Sequence, residues 1–81
     1  MKFNEYINML VEEGYKKTAL LDQIAKACGY KSRRALFNWM SGSSVPDVYR
    51  AQKVAAYLSK KLNRRITVSD IWPVEGLREV V

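Results

Sequence analysis

The segment that decides the predicted fold runs from Leu20 to Pro46 and reads LLDQIAKACGYKSRRALFNWMSGSSVP. It holds two stretches with helical apolar periodicity, and each is followed by a glycine, Gly29 or Gly42. A glycine directly after such a stretch indicates a helix end, because glycine adopts the left-handed conformation without steric cost. The segment therefore predicts two short helices joined by a tight turn.

The first helix of this pair is expected from Thr18 to Cys28, with Thr18 as its N-cap. Its predicted buried stripe consists of Leu21, Ile24, Ala25 and Cys28. Ser32 is expected to cap the second helix, which runs to Ser41 and stops at Gly42. Two helices connected in this way form a helix-turn-helix.

A helical projection divides the second helix of the pair into two faces that do not overlap. The apolar face, which we expect to pack on the core, contains Ala35, Leu36, Trp39 and Met40. The outer face contains Arg33, Arg34, Phe37, Asn38 and Ser41. A face with two guanidinium groups, an amide and one ring suits the major groove of DNA.

Four of these five outer side chains have a partner among the bases. Arginine can donate two hydrogen bonds to guanine, asparagine can pair with adenine, and a ring can contact the thymine methyl group. We therefore predict base contacts from four residues, namely Arg33, Arg34, Phe37 and Asn38. Simpler alternatives stay open: a solvated helix start for the arginines, a ring folded sideways for Phe37, and an ordinary surface position for Asn38.

Residues around the two helices are predicted to contact phosphates. The set consists of Lys16, Lys17, Thr18, Lys31, Ser32, Ser41, Ser43 and Ser44. The first three stand at a helix N-terminus, where backbone N–H groups and the helix dipole attract anions, and lysines there neutralise charge. Serine is also common in turns, which gives Ser43 and Ser44 a structural alternative. The pair Arg64 and Arg65 is assigned to a solvated turn.

Charge and composition agree with a polyanionic partner. The chain of 81 residues has a net charge of +6 and 48% hydrophobic residues, enough for one core. Residues 14–44 alone carry +5, because six lysines and arginines stand against Asp22. Dense positive charge in a small domain favours nucleic acid as partner. The alternative is that the charge serves solubility alone.

The composition excludes several classes of protein. With one cysteine, Cys28, and no histidine, the chain lacks an internal disulfide, the usual metal ligands and a recognisable catalytic base or nucleophile. We expect no enzyme, no cofactor and no metal. Glu5, Glu12 and Glu13 argue against a signal peptide, and no apolar run is long enough to cross a bilayer. We expect a cytoplasmic protein of a bacterial host, located on the nucleoid when bound.

Three further helices complete the predicted all-α fold. The first helix of the chain is expected from Phe3 to Glu13, and a fourth from Pro46 to Leu62. Thr67 is expected to cap a short fifth helix that Pro73 ends. The predicted buried stripe of the first helix consists of Phe3, Ile7, Leu10 and Val11, and that of the fourth of Val48, Ala51, Val54, Ala55, Leu58 and Leu62.

The order Ala25-x3-Gly29, Leu36-x2-Trp39 and Gly42-x3-Pro46 resembles the Cro and phage-repressor (XRE-type) helix-turn-helix family over residues 20–73. The resemblance implies a compact five-helix, lambda-repressor-like fold, operator binding and dimers on palindromic sites. One departure stands out: Leu36 follows Gly29 by seven positions, where the family usually has six. We align on Leu36 and Trp39, which keeps the apolar face buried; alignment on Gly29 would move each base contact back by one.

We expect one DNA-binding domain over residues 1–73 and a C-terminal tail over residues 74–81 that takes part in a dimer interface. Because one recognition helix reads few base pairs, two copies about 34 Å apart would read a palindrome. The predicted interface consists of Tyr57, Trp72, Val74, Leu77 and Val80. In the alternative, Ile71 and Trp72 complete the core, and the tail is disordered or pairs as a strand across the dimer axis.

The predicted function is a sequence-specific transcriptional regulator that binds duplex DNA, specifically a phage or prophage-type repressor on a palindromic operator. An antitoxin or an excisionase-like factor would use the same chemistry. A protein-interaction adaptor on the same scaffold is the alternative of a different class, and it predicts little salt dependence. The outer face of the third helix argues against an adaptor, because such a face usually carries more than one apolar residue.

Overall fold

The computed structural model describes residues 2–72 and contains five α-helices. They are α1 (Phe3–Glu12), α2 (Lys17–Ala27), α3 (Arg34–Ser41), α4 (Val48–Leu62) and α5 (Val68–Ile71). Over the described range the fold is all-α, without a strand, as the sequence predicted. None of these helices combines the length and the apolar character that a membrane span requires.

Helix α1 packs on α2, α3 and α4 through one apolar face. That face consists of Phe3, Tyr6, Ile7 and Leu10, spaced at i, i+3, i+4 and i+7. The prediction that Val11 belongs to the buried stripe is wrong, because its side chain is 39% exposed. Tyr6 takes that place in the core, and its ring lies under the guanidinium of Arg64 at 5.8 Å.

Helices α2 and α4 form an antiparallel pair. Tyr57 on α4 donates a hydrogen bond to Gln23 on α2 at 2.6 Å, whereas Arg50, two turns earlier on α4, reaches the end of α2 at Cys28. The predicted stripe of α2 is buried as expected, and Leu20 is buried with it. On α4, Val48 and Leu62 are half-buried rather than buried, because they lie at the ends of the helix.

Three aromatic rings close the core beneath α3. Phe3 of α1 stacks on Trp72 with ring centroids 5.6 Å apart, and Trp39 of α3 meets both rings edge-on at 6.0 and 5.9 Å. Such edge-to-face and stacked pairs add to the free energy of burial. Trp72 is only 5% exposed, which does not agree with its expected role in a dimer interface. It completes the core instead, which was the alternative given for this residue.

The starts of three helices differ from their predicted positions. Helix α2 begins at Lys17 and is not capped by the Thr18 side chain. Helix α3 begins at Arg34, after an N-cap at Arg33, while Ser32 Oγ lies 3.5 Å from the Arg34 nitrogen, too far for a good cap. Pro46 precedes α4 instead of lying in its first turn, and Asp47 accepts the Arg50 N–H at 2.7 Å as the N-cap.

The end of α2 is fixed by a left-handed residue, Gly29, with φ +82°. Its N–H donates to the carbonyl of Lys26 at 3.2 Å, and the next N–H, of Tyr30, donates to the carbonyl of Ala25 at 2.8 Å. This pair of bonds is the Schellman closure of a helix. At the end of α4 the left-handed residue is Asn63, with φ +53°.

A short loop joins α4 to α5 and is held by one hydroxyl. Ser59 Oγ accepts the Ile66 N–H at 2.9 Å and lies 2.7 Å from the Ala55 carbonyl oxygen. Ile66 is thereby drawn into the core, a position the sequence analysis did not anticipate. The predicted start of α5 is confirmed: Thr67 is its N-cap, and Asp70 accepts the Thr67 N–H at 2.8 Å.

The predictions for the tail lie outside the described residues. These are the helix end at Pro73, the boundary between residues 73 and 74, and the interface positions Val74, Leu77 and Val80.

Replacement of Gly29 by alanine should destabilise the protein by about 1–2 kcal/mol, because an L side chain disfavours the left-handed conformation. Space is not the cause, since an added Cβ would meet nothing within 4 Å. As a control, Asn63→Gly at the same kind of position should leave stability equal or raise it. Urea unfolding measures both variants, and equal stability of Gly29→Ala and wild type would contradict the expectation.

Replacement of Trp72 by alanine should cost about 3–5 kcal/mol through the cavity it leaves, and Trp72→Phe should cost less. Because the contacts of Trp72 lie within one chain, the loss in Tm should not depend on protein concentration. Tyr49→Ala, at a ring that is 57% exposed, should change stability by less than about 0.5 kcal/mol. A Tm loss that vanishes at high protein concentration would instead place Trp72 in an interface.

Candidate nucleic-acid interface

The outward face of α3 is the centre of the candidate site. Leu36 and Trp39 are buried on the inner face, while Arg34, Phe37 and Asn38 are exposed on the outer one. Phe37 is 50% exposed, so half of an apolar ring lies in solvent. Ala35 and Met40, predicted on the buried face, are half-buried at the edge of the core. The predicted division of α3 into two faces is confirmed.

Arg33 and Arg34 differ in their surroundings. The Arg33 Nε atom lies 3.2 Å from Oδ1 of Asp22 on α2, and its side chain is 37% exposed. Arg34 is exposed and forms no ion pair within residues 2–72. The first arginine is therefore held against the preceding helix, whereas the second extends freely from the start of α3.

Four further predicted contacts lie on the surface near the turn and the start of α2. Lys16, Lys17, Lys31 and Ser32 are all exposed. The turn residues Lys31 and Ser32 line a shallow surface depression that they share with four others, namely Asp22, Arg33, Arg34 and Phe37. The structure therefore brings three of the four predicted base contacts, Arg33, Arg34 and Phe37, to one depression together with two of the predicted phosphate contacts.

The C-terminal end of α3 is organised around one carbonyl group. The Asn38 carbonyl oxygen accepts the N–H of Ser43 at 3.0 Å and lies 3.1 Å from the Ser41 hydroxyl. The Ser43 hydroxyl is 3.3 Å from the same oxygen and 3.0 Å from Ser41 Oγ. These serines are exposed, as is Ser44, but the hydroxyls of Ser41 and Ser43 already close the helix. Their role as phosphate contacts stays a prediction.

The turn that leads into α3 is tied to α4 by a residue that the sequence analysis missed, Arg50. Its Nε donates to the carbonyl of Cys28 at 3.3 Å, and its guanidinium lies 4.9 Å from the Tyr30 ring centroid. Its Nη1 bonds Asp47. The Tyr30 ring in turn meets Trp39 edge-on at 5.8 Å. No sequence pattern predicts this network, because the turn and Arg50 are far apart in the chain.

The contact between Arg50 and Asp47 shifts the pKa values of both residues. The backbone N–H of Arg50 lowers the pKa of Asp47, although partial burial opposes it, and the Arg50 side chain lowers it further. The hydrogen bond to Asp47 raises the pKa of Arg50 above its ordinary value. Burial raises the pKa of the Cys28 thiol, so this cysteine stays protonated at neutral pH and is a poor nucleophile.

A second surface lies between α2 and the C-terminal half of α4. The Lys61 Nζ lies 5.1 Å from the Tyr15 ring centroid and 5.7 Å from that of Tyr57. Tyr57 is half-buried and bonds Gln23, and burial raises the pKa of its hydroxyl. The place of Tyr57 in a dimer interface stays a prediction. Thr18 is exposed, and its contact with a phosphate also stays a prediction.

Comparisons with family models, curated proteins and solved structures found no match to this chain. Within the described residues there is no group of metal-ligating side chains.

Loss of the Asp47 carboxylate should weaken the fold at neutral pH by about 0.5–2 kcal/mol, the usual range for an N-cap. Because folding lowers the pKa of Asp47, its contribution is complete above the ordinary value of 3.8 and is lost as the pH falls through the lower folded-state pKa. Urea unfolding of wild type and Asp47→Ala should differ most at pH 7, and the difference should shrink as the pH falls below 3.8, because a protonated carboxyl keeps only a neutral acceptor. Asp47→Asn, which keeps an acceptor, should lose less; a pH-independent difference would contradict this assignment.

Proposed function

We propose that this chain is a sequence-specific, duplex-DNA-binding transcriptional regulator in which α2 and α3 act as a helix-turn-helix. Helix α3 would enter the major groove with its outer face, and the start of α2 would contact the phosphate backbone. The regulator would be a repressor of the phage or prophage type that binds a palindromic operator as a dimer.

The observation that carries the proposal is the division of α3 into a buried apolar face and an exposed face with an arginine, a ring and an amide. An α-helix with its side chains is about 10–12 Å across, which matches the width of the major groove, about 12 Å. Arg34, Phe37 and Asn38 are free of the core, and each side chain has a partner chemistry on the base edges.

The surrounding charge supports the same partner. Residues 14–44 carry most of the net charge of +6. Lys16, Lys17 and Lys31 are exposed, and Lys31 lines the depression beside Arg33, Arg34 and Phe37. Such cations release counterions when they approach phosphates, which gives affinity that falls with salt. An adaptor that docks on a protein would lack this steep salt dependence, and its docking face would hold more apolar area than the single ring of Phe37.

Dimerisation is part of the proposal, because an eight-residue helix contacts few base pairs and one copy would bind weakly. Trp72 belongs to the core of the single chain, which leaves the tail and the exposed side of α4, including Tyr57, as the proposed contact between copies. Sedimentation of the protein with and without DNA measures the number of copies per duplex.

Selection of bound duplexes from a random pool tests the function directly. The expected result is a short palindromic motif with two half-sites about one helical turn apart. Recovery of no motif, together with binding that is insensitive to salt, would contradict the proposal and favour the adaptor. A non-palindromic motif would support DNA binding and contradict the proposed dimer.

Two single variants should separate base reading from phosphate contact. Arg34→Ala should weaken binding to the selected motif by about 1–3 kcal/mol and relax the preference at one base pair. Lys17→Ala should weaken binding to all duplexes alike and lower the slope of log K against log salt by about one unit. Titrations at several salt concentrations measure both effects.

Lys53→Ala serves as the matched control, because Lys53 lies on α4 against the Tyr49 ring and outside the candidate surface. It removes the same charge as Lys17→Ala and should change affinity and salt slope less. Equal effects of Lys17→Ala and Lys53→Ala would mean that only net charge matters and would contradict the proposed orientation.

A further inference from the structure

We propose that Asp22 and Arg33 form one guanine-reading unit, in which Asp22 positions the guanidinium and Arg33 contacts the base. The inference rests on the proposed DNA binding. The inference goes further in two respects. It names guanine as the base that Arg33 contacts, and it assigns the preference for that base to a second residue, Asp22, which lies outside α3.

The geometry of the pair leaves the base-reading donors of Arg33 available. The guanidinium has five N–H donors in one plane, and the contact to Asp22 Oδ1, at 3.2 Å, is made by Nε. The two terminal amino groups remain for a ligand. Arginine donors of this kind bond O6 and N7 of guanine together. A carboxylate beside Nε would favour one direction of that fork before DNA arrives.

The charge of the pair selects a base over a phosphate. Asp22 is 66% exposed, so its negative charge reaches the surface that DNA would approach, and it would repel a phosphate placed on Arg33. The major-groove edge of guanine carries no net charge and offers two acceptors, so the repulsion is weaker there than at a phosphate. Arg34 has no such neighbour within residues 2–72 and is free to contact either group.

The surroundings make Asp22 unusual on this surface. The shallow depression beside the pair is otherwise lined by cations, a hydroxyl and a ring: Lys31, Ser32, Arg33, Arg34 and Phe37. An exposed acid in such a setting lowers affinity for any polyanion. It can raise selectivity, because specificity is a difference between affinities and a repulsive group contributes to it.

Exposed ion pairs contribute little to folding, and this separates a reading role from a structural one. Asp22→Ala should therefore fold normally, with a Tm within about 5 °C of wild type. A change in base preference without a change in Tm would follow from the orientation of Arg33 and not from a weakened fold.

The test starts from the duplex that the wild-type chain selects. Binding is measured on that duplex, on an unrelated duplex, and on variants in which each G·C pair is replaced singly. Arg33→Ala should reduce the preference for one G·C pair in each half-site by about tenfold or more. Asp22→Ala should reduce the preference for the same pair by about fivefold, as partial loss of that contact, while the unrelated duplex binds equally or more tightly.

The double variant Asp22→Ala/Arg33→Ala completes a thermodynamic cycle. It should show the same base preferences as Arg33→Ala alone, because Asp22 acts only through Arg33. Glu12→Ala is the matched control for charge: Glu12 is an exposed acid at the end of α1, and its loss should strengthen binding to all duplexes alike without changing any single base preference.

The possible outcomes separate this inference from the proposed function. A wild-type chain that selects no duplex overturns both. A wild-type chain with a clear motif, whose base preferences survive unchanged in Asp22→Ala, overturns the inference alone. Loss of preference in Asp22→Ala at every position equally, or at a pair other than the one that depends on Arg33, overturns it as well.

Discussion

The contact of Trp39 with Phe3 and Trp72 is the interaction on which the rest of the structure depends. Helix α3 has eight residues, too few to persist in water by itself, since isolated helices shorter than about 12–15 residues are marginal. It exists because Leu36 and Trp39 are buried. The rings also decide which side of α3 faces outward, so the candidate reading surface is a consequence of core packing.

A second constraint fixes how the chain enters α3. Arg50 holds the carbonyl of Cys28 and covers the Tyr30 ring, and the same ring leans on Trp39. The turn between α2 and α3 is therefore supported from α4, although it is exposed at Lys31 and Ser32. Tyr30 in the turn contacts Trp39, one of the three core rings, so a change in either residue would affect the start of α3.

The sequence predicts the order and type of all five helices, because apolar periodicity and the following left-handed residues are local signals. It mislocates helix starts, since Thr18 and Ser32 are good capping residues that the packed chain does not use as such. The sequence also predicted that Val11 is buried and did not predict this for Tyr6. Apolar periodicity alone does not show whether a tyrosine ring or an aliphatic side chain will be buried. The contacts of Asp22 with Arg33 and of Arg50 with Cys28 could not be predicted, since each joins residues that are far apart in the chain.

Helices α2 and α3 begin without a side-chain cap, whereas α4 uses Asp47. Lys17 and Arg34 place positive charge in the first turns of these helices, where the helix dipole is already positive. The free chain thus keeps two locally unfavourable helix starts. An anion that supplied both acceptors and negative charge would relieve them together, so affinity for a polyanion and resistance to unfolding would rise as one linked quantity.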